Sequence, residues 1–376
     1  MAAYTVKQID LTNRRQVSEF LRLPGRVYRG SPYWVAPLRG EARRMLDPRR
    51  NPYFKHSQAA FFLAYDQAGQ VVARLACLDH RLYNEHNHDK TVFFHLFEAL
   101  DLPGVSLPLF EAAGEWARAR GLERLLGPKG FSMLDGMGLL SEGFDYLPGM
   151  GMPYNPAYYI RLVEEAGFQV KEEIVTGYMN KGAFEDPKVA LIAARVQERK
   201  GLTITHFHNR RELRQLVTQI PGLYNEAIQG TTGNYPLTPE DAKQMAGQLL
   251  WFADPSLIKL VMKGSRPVGF QIAYPNISSA MKRIQGRLFP FGWLTLLHAL
   301  RTTRNAEVNG MGMIEEFRGS GGTAILMHES RKAVEKRYTY CELEQIGTTN
   351  EKMLRELSNF GVIFHKRYRL YERSIV

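Results

Sequence analysis

Glu315-Glu316-Phe317-Arg318-Gly319-Ser320-Gly321-Gly322-Thr323 is the stretch on which the reading of the whole chain turns. Ahead of it, Val308 to Ile314 is apolar and glycine-containing, as suits a buried strand. Behind it, Ala324, Ile325, Leu326, Ala333 and Val334 recur among charged residues at helical spacing. The unit predicted is strand, glycine turn, amphipathic helix. Glycines just before a helix N-terminus leave backbone N–H groups uncovered, and the helix dipole behind them favours a phosphate or pyrophosphate. Arg318 adds positive charge at the rim.

Three phosphate-loop patterns compete for these residues. A nucleoside-triphosphate loop ends Gly-Lys-Ser/Thr, and Gly322-Thr323-Ala324 has no lysine, so that pattern fails. The dinucleotide pattern is met by Gly319, Gly321 and Ala324, with Glu342 or Glu344 placed as the ribose acid. However, Glu315 to Arg318 separate the strand from the first glycine, and too little chain follows Glu344 to complete a doubly wound sheet. The third pattern, Q/R-x-x-G-x-G/A, is filled by Arg318, Gly321 and Thr323.

With that loop the sequence resembles the GNAT superfamily of acyl-CoA-dependent N-acyltransferases. The resemblance continues through a strand at Tyr340 to Ile346 and a helix in which Asn350 stands eleven residues before Gly361. Phe364 to Tyr371 would be the closing antiparallel strand. Two positions depart from the family: its usual tyrosine, four residues before that glycine, is Leu357, and the last small residue of the loop is Thr323. The first departure leaves the proton donor unassigned.

The chain has 376 residues, which favours two domains. A hydrophobic content of 44% supports packed cores, and a net charge of +11 favours anionic partners, CoA phosphates or nucleic acid. Cys77 and Cys341 each sit in a predicted strand and read as buried free thiols in a reducing cytoplasm. The N-terminus lacks a signal-peptide core, and no apolar run is long enough to span a bilayer, so a soluble cytoplasmic protein is expected.

Residues 24–56 interleave arginines with Tyr28, Tyr33, Trp34, Tyr53 and Phe54 among five prolines. Such a segment can stack on single-stranded nucleic acid, but the prolines favour an arm wrapped on its own domain. A hairpin follows over Ala60–Leu78. His80, His86, His88 and Asp89 stand in a polar loop with no element to fix them, so no metal site is assigned. Residues 127–156 form a long loop rich in Gly, Met and Pro, read as an ordered cover for a binding site. Asn155 to Phe168 then reads as a helix.

The N-terminal half thus repeats the element order of the C-terminal half, at a spacing of about 195 residues from Asn155 to Asn350. Its counterpart of the phosphate loop, Asp101-Leu102-Pro103-Gly104, has one glycine, a proline and no arginine. The expected fold is therefore α/β (α+β): two tandem GNAT-like lobes, each a mixed, mostly antiparallel sheet flanked by helices. Residues 1–185 form the lobe without a pyrophosphate loop, and residues 200–376 form the lobe with the acyl-CoA site. Tyr224, Asn225 and Tyr235 lie where the family shapes its acceptor pocket. The insertion 277–304, with Trp293, Leu296, Leu297 and Leu300 on one helix face and flanking arginines, reads as a packed helix, an acyl lid or a peripheral membrane contact.

The resemblance implies direct attack of a primary amine on the thioester of acetyl-CoA or a longer acyl-CoA. It assigns cofactor contacts to Met311, Gly312 and Met313, to Phe317, Arg318, Gly319, Ser320, Gly321, Gly322 and Thr323, and to Asn350. An attacking amine must lose a proton, which makes Glu307 and Glu344 the candidate bases, with Asn350 beside them. Acetyl transfer to a small-molecule or peptide amine is the leading expectation. A non-catalytic acyl-CoA binder and an aminoacyl-tRNA-dependent transferase of the same fold are the alternatives, the latter opposed by the intact loop. No metal is expected.

Overall fold

The computed structural model describes residues 4–132, 134–180, 187–228, 234–318 and 322–376. The glycine turn Gly319–Gly321, the linker start 181–186 and the loop 229–233 fall outside the described residues.

Thirteen strands form among the described residues, the central ones from apolar runs buried on both faces. They are β1 (Thr5–Gln8), β2 (Gln58–Tyr65), β3 (Val71–Asp79), β4 (Thr91–Ala99), β5 (Arg124–Gly127), β6 (Leu139–Glu142), β7 (Gln169–Asn180), β8 (Leu202–Thr205), β9 (Lys259–Lys263), β10 (Arg266–Pro275), β11 (Asn305–Met313), β12 (Tyr340–Gly347) and β13 (Ile363–Ser374). In β3 seven consecutive residues, Val72 to Leu78, are buried, the signature of a central strand covered on both sides.

The chain divides into two compact units that are not contiguous in sequence. One contains Met1–Ile174, Ser278–Trp293 and Lys366–Val376; the other contains Val175–Ile277 and Leu294–His365. A single cut between 185 and 200 is therefore replaced by crossings inside β7 and β13 and by an excursion of the insertion. Neighbour preferences along a chain do not report such long-range exchanges.

In the first unit β1, β2, β3 and β4 pair antiparallel, β4 and β5 pair parallel, and β13 returns antiparallel to β5, Tyr371 opposite Gly127. Helix Ser106–Arg118 covers this sheet with Leu109, Phe110, Ala113, Trp116 and Ala117, the spacing of one helical face. The proline-rich arm packs as a wrapped segment: Tyr28 stacks on Trp34 at 4.7 Å, and Tyr53 is buried against Phe131. The region 127–156 contributes β6, which pairs with β13, and Asn155 clamps Leu140 through both its backbone groups instead of capping a helix. The helix begins at Tyr158.

In the second unit β8, β9, β10 and β11 are antiparallel, β11 and β12 are parallel, and β7 lies beside β12. Helices Pro187–Lys200, Arg210–Ala227, Gly322–Arg337 and Glu351–Asn359 complete it. Each unit is a mixed, mostly antiparallel sheet with helices, as the sequence predicts.

Candidate functional site

The site is set by where β11 and β12 stop pairing. Their parallel ladder runs from Asn305–Tyr340 through Ala306–Cys341 and Glu307–Glu342 to Val308–Leu343, and there it ends. Both strands continue, β11 to Met313 and β12 to Gly347; Asn309–Gly312 and Gln345–Gly347 are half-exposed, whereas Ala306–Val308 and Cys341–Glu344 are buried. Asn309 is the extra residue of a bulge against β10, since Ile272 faces Gly310 and Ala273 faces Val308. Bulges bend a strand and end pairing, which is the local cause of the parting. On the other strand Gln345 holds a φ of 51°, a left-handed conformation that costs a non-glycine residue about 1–3 kcal/mol. Past the parting, β11 remains paired with β10 on one edge only, so the backbone groups of its other edge, through Met311, Gly312 and Met313, face the notch.

Three carboxylates stand at the parting point. Glu307 and Glu342 are register partners, and Glu344 lies two residues on, hence on the same face. All three are buried, and they offer oxygens within 4.8 Å of one another. Glu307 Oε2 accepts from Asn276 Nδ2 at 2.8 Å, and the same carboxylate is hydrogen-bonded by Tyr274, which also reaches Asn309. Glu344 Oε2 accepts from Thr176 Oγ1 at 3.0 Å, and Thr176 Oγ1 in turn accepts from the Gln345 N–H. His365 Nε2 lies 3.1 Å from Glu342 Oε1, and Tyr178 packs edge-on to His365 and stacks on Tyr340.

The cluster shapes its neighbours. Burial and the charges of Glu307 and Glu344 push the Tyr274 phenol well above its usual range. Burial first, then Glu342, Glu307 and Glu344, push the Cys341 thiol up to about 12, so it is a buried thiol and no nucleophile. The three carboxylates thus gather acidic oxygens into one buried group. The same oxygens would suit a hard divalent cation, but the donors supplied by Asn276, Thr176 and Tyr274 already serve them as anions.

The other expected site residues fall as follows. Gly322 opens helix Gly322–Arg337, and an added Cβ there would meet the flexible end of the Met313 side chain, Cε at 2.7 Å, which would have to shift. Phe317 is buried in the unit's core, leaving only its backbone to face a ligand. Arg318 donates from Nε to the Met313 carbonyl at 3.2 Å and from Nη2 to the Ala227 carbonyl, so it ties the loop to the strand end and to helix Arg210–Ala227. Gly319, Ser320 and Gly321 lie outside the described residues, and Thr323 is placed in the first turn of the helix. Asn350 caps helix Glu351–Asn359, its Oδ1 accepting from Met353 N at 3.2 Å, and is not among the residues gathered around the carboxylates. Leu357 is buried in the core.

Asn225 clamps both backbone groups of Leu237, and Tyr224 packs against Phe270. His80 caps helix Arg81–Asn87, and Asp89 pairs with Arg124, which accounts for two members of the histidine-rich loop. Glu342, His365 and Tyr274 were not singled out as catalytic. Strand alternation puts residues two apart on one face without saying which face, and the register that brings Glu307 opposite Glu342 is tertiary.

This parted strand pair, with helix Gly322–Arg337 between its strands in the chain, defines a tandem GNAT fold. A solved tandem GNAT protein from the clavulanic acid biosynthesis pathway covers 100% of this chain and 99% of its own at a TM-score of 0.56 and 11% identity. The chain is 30% identical over 370 residues to Protein YghO of Escherichia coli (strain K12), 96% of this chain and 94% of that protein, and it belongs to the same family. It is 28% identical over 375 residues to the bacterial ceramide synthase of Caulobacter vibrioides (strain NA1000 / CB15N), 98% of this chain and 97% of that one. No protein-family model matches the chain.

Proposed function

We propose that this chain transfers an acyl group from acyl-CoA to the amine of a long-chain amino alcohol, forming an amide. The observation that carries the chemistry is the buried cluster Glu307, Glu342 and Glu344 at the parting of β11 and β12, in the copy that retains the glycine turn. The substrate class follows the likeness to a ceramide synthase along nearly the whole chain, because a ceramide is the amide of a long-chain amino alcohol. For the same reason we read the acyl group as longer than acetyl.

The thioester carbonyl lies against the open edge of β11, where a backbone N–H near Met311–Met313 takes the charge that develops on oxygen. The amine attacks the carbonyl carbon, the C–N bond forms, the C–S bond breaks, and CoA leaves as thiolate. The proton shed by the nitrogen passes to the carboxylate cluster, directly or through water, and the thiolate takes one up. With Leu357 at the family's tyrosine position, Tyr274, held by Glu307 and Asn309, is a phenol at this chemistry.

The test is a thiol-release assay over acyl-CoAs of increasing length, with a long-chain amino alcohol and with a short primary amine as acceptors. Amide product from a long acyl-CoA and the long amine, and little from acetyl-CoA, is the expected result. Turnover with acetyl-CoA and the short amine alone overturns the substrate assignment and leaves the fold class intact.

A further inference from the structure

The insertion carries an apolar tip that the fold does not cover. Helix Gly292–Thr302 is anchored through Leu296 and Ala299, both buried, while Trp293, Leu294 and Leu297 are between 42% and 47% exposed. Of the four residues expected to share a packed face, Leu296 is buried, Leu300 is half-buried, and Trp293 and Leu297 turn outward. In the turn just before the helix, Phe289 is 80% and Phe291 71% exposed, the most exposed aromatic side chains among the described residues. Five large apolar groups within one uninterrupted stretch of nine residues exceed the scattered exposure normal on a surface.

The charge along the insertion has one sign. Residues 277–306 contain Lys282, Arg283, Arg287, Arg301 and Arg304 and no aspartate or glutamate. Arg283, Arg287 and Arg301 are exposed. Aromatic and leucine side chains ringed by arginines match the boundary between headgroups and acyl chains, where the rings bury their apolar bodies and the cations meet phosphates. A second copy is a poorer occupant, because a two-fold contact would set these arginines against their own equivalents.

We propose that Phe289, Phe291, Trp293, Leu294 and Leu297 insert into the interfacial layer of an anionic phospholipid bilayer, with Arg283, Arg287 and Arg301 at headgroup level. The helix lies on the membrane and does not cross it; no helix among the described residues is long and apolar enough to do so. The proposal stands on this patch alone and is independent of the acyl-transfer reading.

Sedimentation with vesicles tests it without turnover. Wild type is expected to pellet with vesicles of equal parts phosphatidylglycerol and phosphatidylcholine, and far less with phosphatidylcholine alone. Phe289→Ser with Phe291→Ser is expected to lower partitioning by more than about tenfold at an unchanged thermal midpoint. Replacing Arg283 and Arg287 by Gln is expected to cost about fivefold per charge, on the anionic vesicles only. Wild type left in the supernatant of the anionic vesicles overturns the proposal, as does a serine variant that pellets like wild type. Failure to pellet, together with a serine-sensitive dimer in gel filtration, overturns it in favour of a second copy.

Discussion

The two units are built from the same order of strands, yet one is shut where the other is open. In both, an antiparallel hairpin leads into a bulged strand that pairs parallel with the strand after the long helix. In the N-terminal unit the third rung of the parallel ladder, in register with Glu307 and Glu342 of the other unit, is Phe93 opposite Leu126, both buried. The Lys129 N–H then donates back to the Phe94 carbonyl, and the Lys129 ammonium sits over the rings of Tyr83 and Phe93. The helix that follows starts with Val105 and Ser106 fully covered, Ser106 Oγ donating to the Leu162 carbonyl. In the C-terminal unit the corresponding faces carry three glutamates, and the strands part. A shared scaffold thus supports a packed wedge in one copy and a reactive notch in the other, and a handful of side chains decides which.

The largest expected effect comes from the loop. Gly321→Glu places a carboxylate where the pyrophosphate is expected, and like charges so placed cost several kcal/mol, so acyl-CoA affinity by calorimetry should fall by roughly 100-fold or more. Pro103→Glu, in the exposed counterpart turn of the closed unit, should leave affinity within about twofold. Equal losses from the two would mean that both copies bind.

Next in size is Glu307→Gln, which keeps a hydrogen-bonding group for Asn276 and removes a proton acceptor. It should lower kcat by about 10²-fold or more with little change in acyl-CoA affinity. An unchanged kcat would take Glu307 out of the chemistry and leave Glu344 or Glu342 to be tried.

The smallest effect belongs to the closed unit. Burial first, and then the Arg74 charge, hold His95 down to about 3. The folded form therefore resists the proton that the unfolded chain takes up from about pH 6.5 downward. Stability should fall as pH drops through that window, by up to about 1 kcal/mol per pH unit. His95→Phe, beside Phe131, should flatten this acid limb in urea titrations compared at about pH 7 and about pH 5.

What the sequence disclosed was local. The strand before Glu315, the helix behind Gly322 and the helix that follows Asn350 were readable, because spacing and turn chemistry act over a few residues. The bulge at Asn309, the strained Gln345 and the facing of Glu307 with Glu342 depend on register against another strand, and no short window contains that. His365 was invisible for the same reason, since it comes from the closing strand. Trp293 and Leu297 misled in the other direction: apolar periodicity says which residues share a face and not whether anything covers it.

The exchange of the chain's last residues has a consequence for how the protein is made. Strand β5 of the first unit pairs with Tyr371 to Ser374, and Tyr371 and Ile375 belong to that unit's core. Domains usually fold in order of emergence from the ribosome. Here β5 lacks its β13 partner until Tyr371 to Ser374 have been made, after all of the second unit's residues. The first unit can therefore complete its sheet only after the chain of the second has been made.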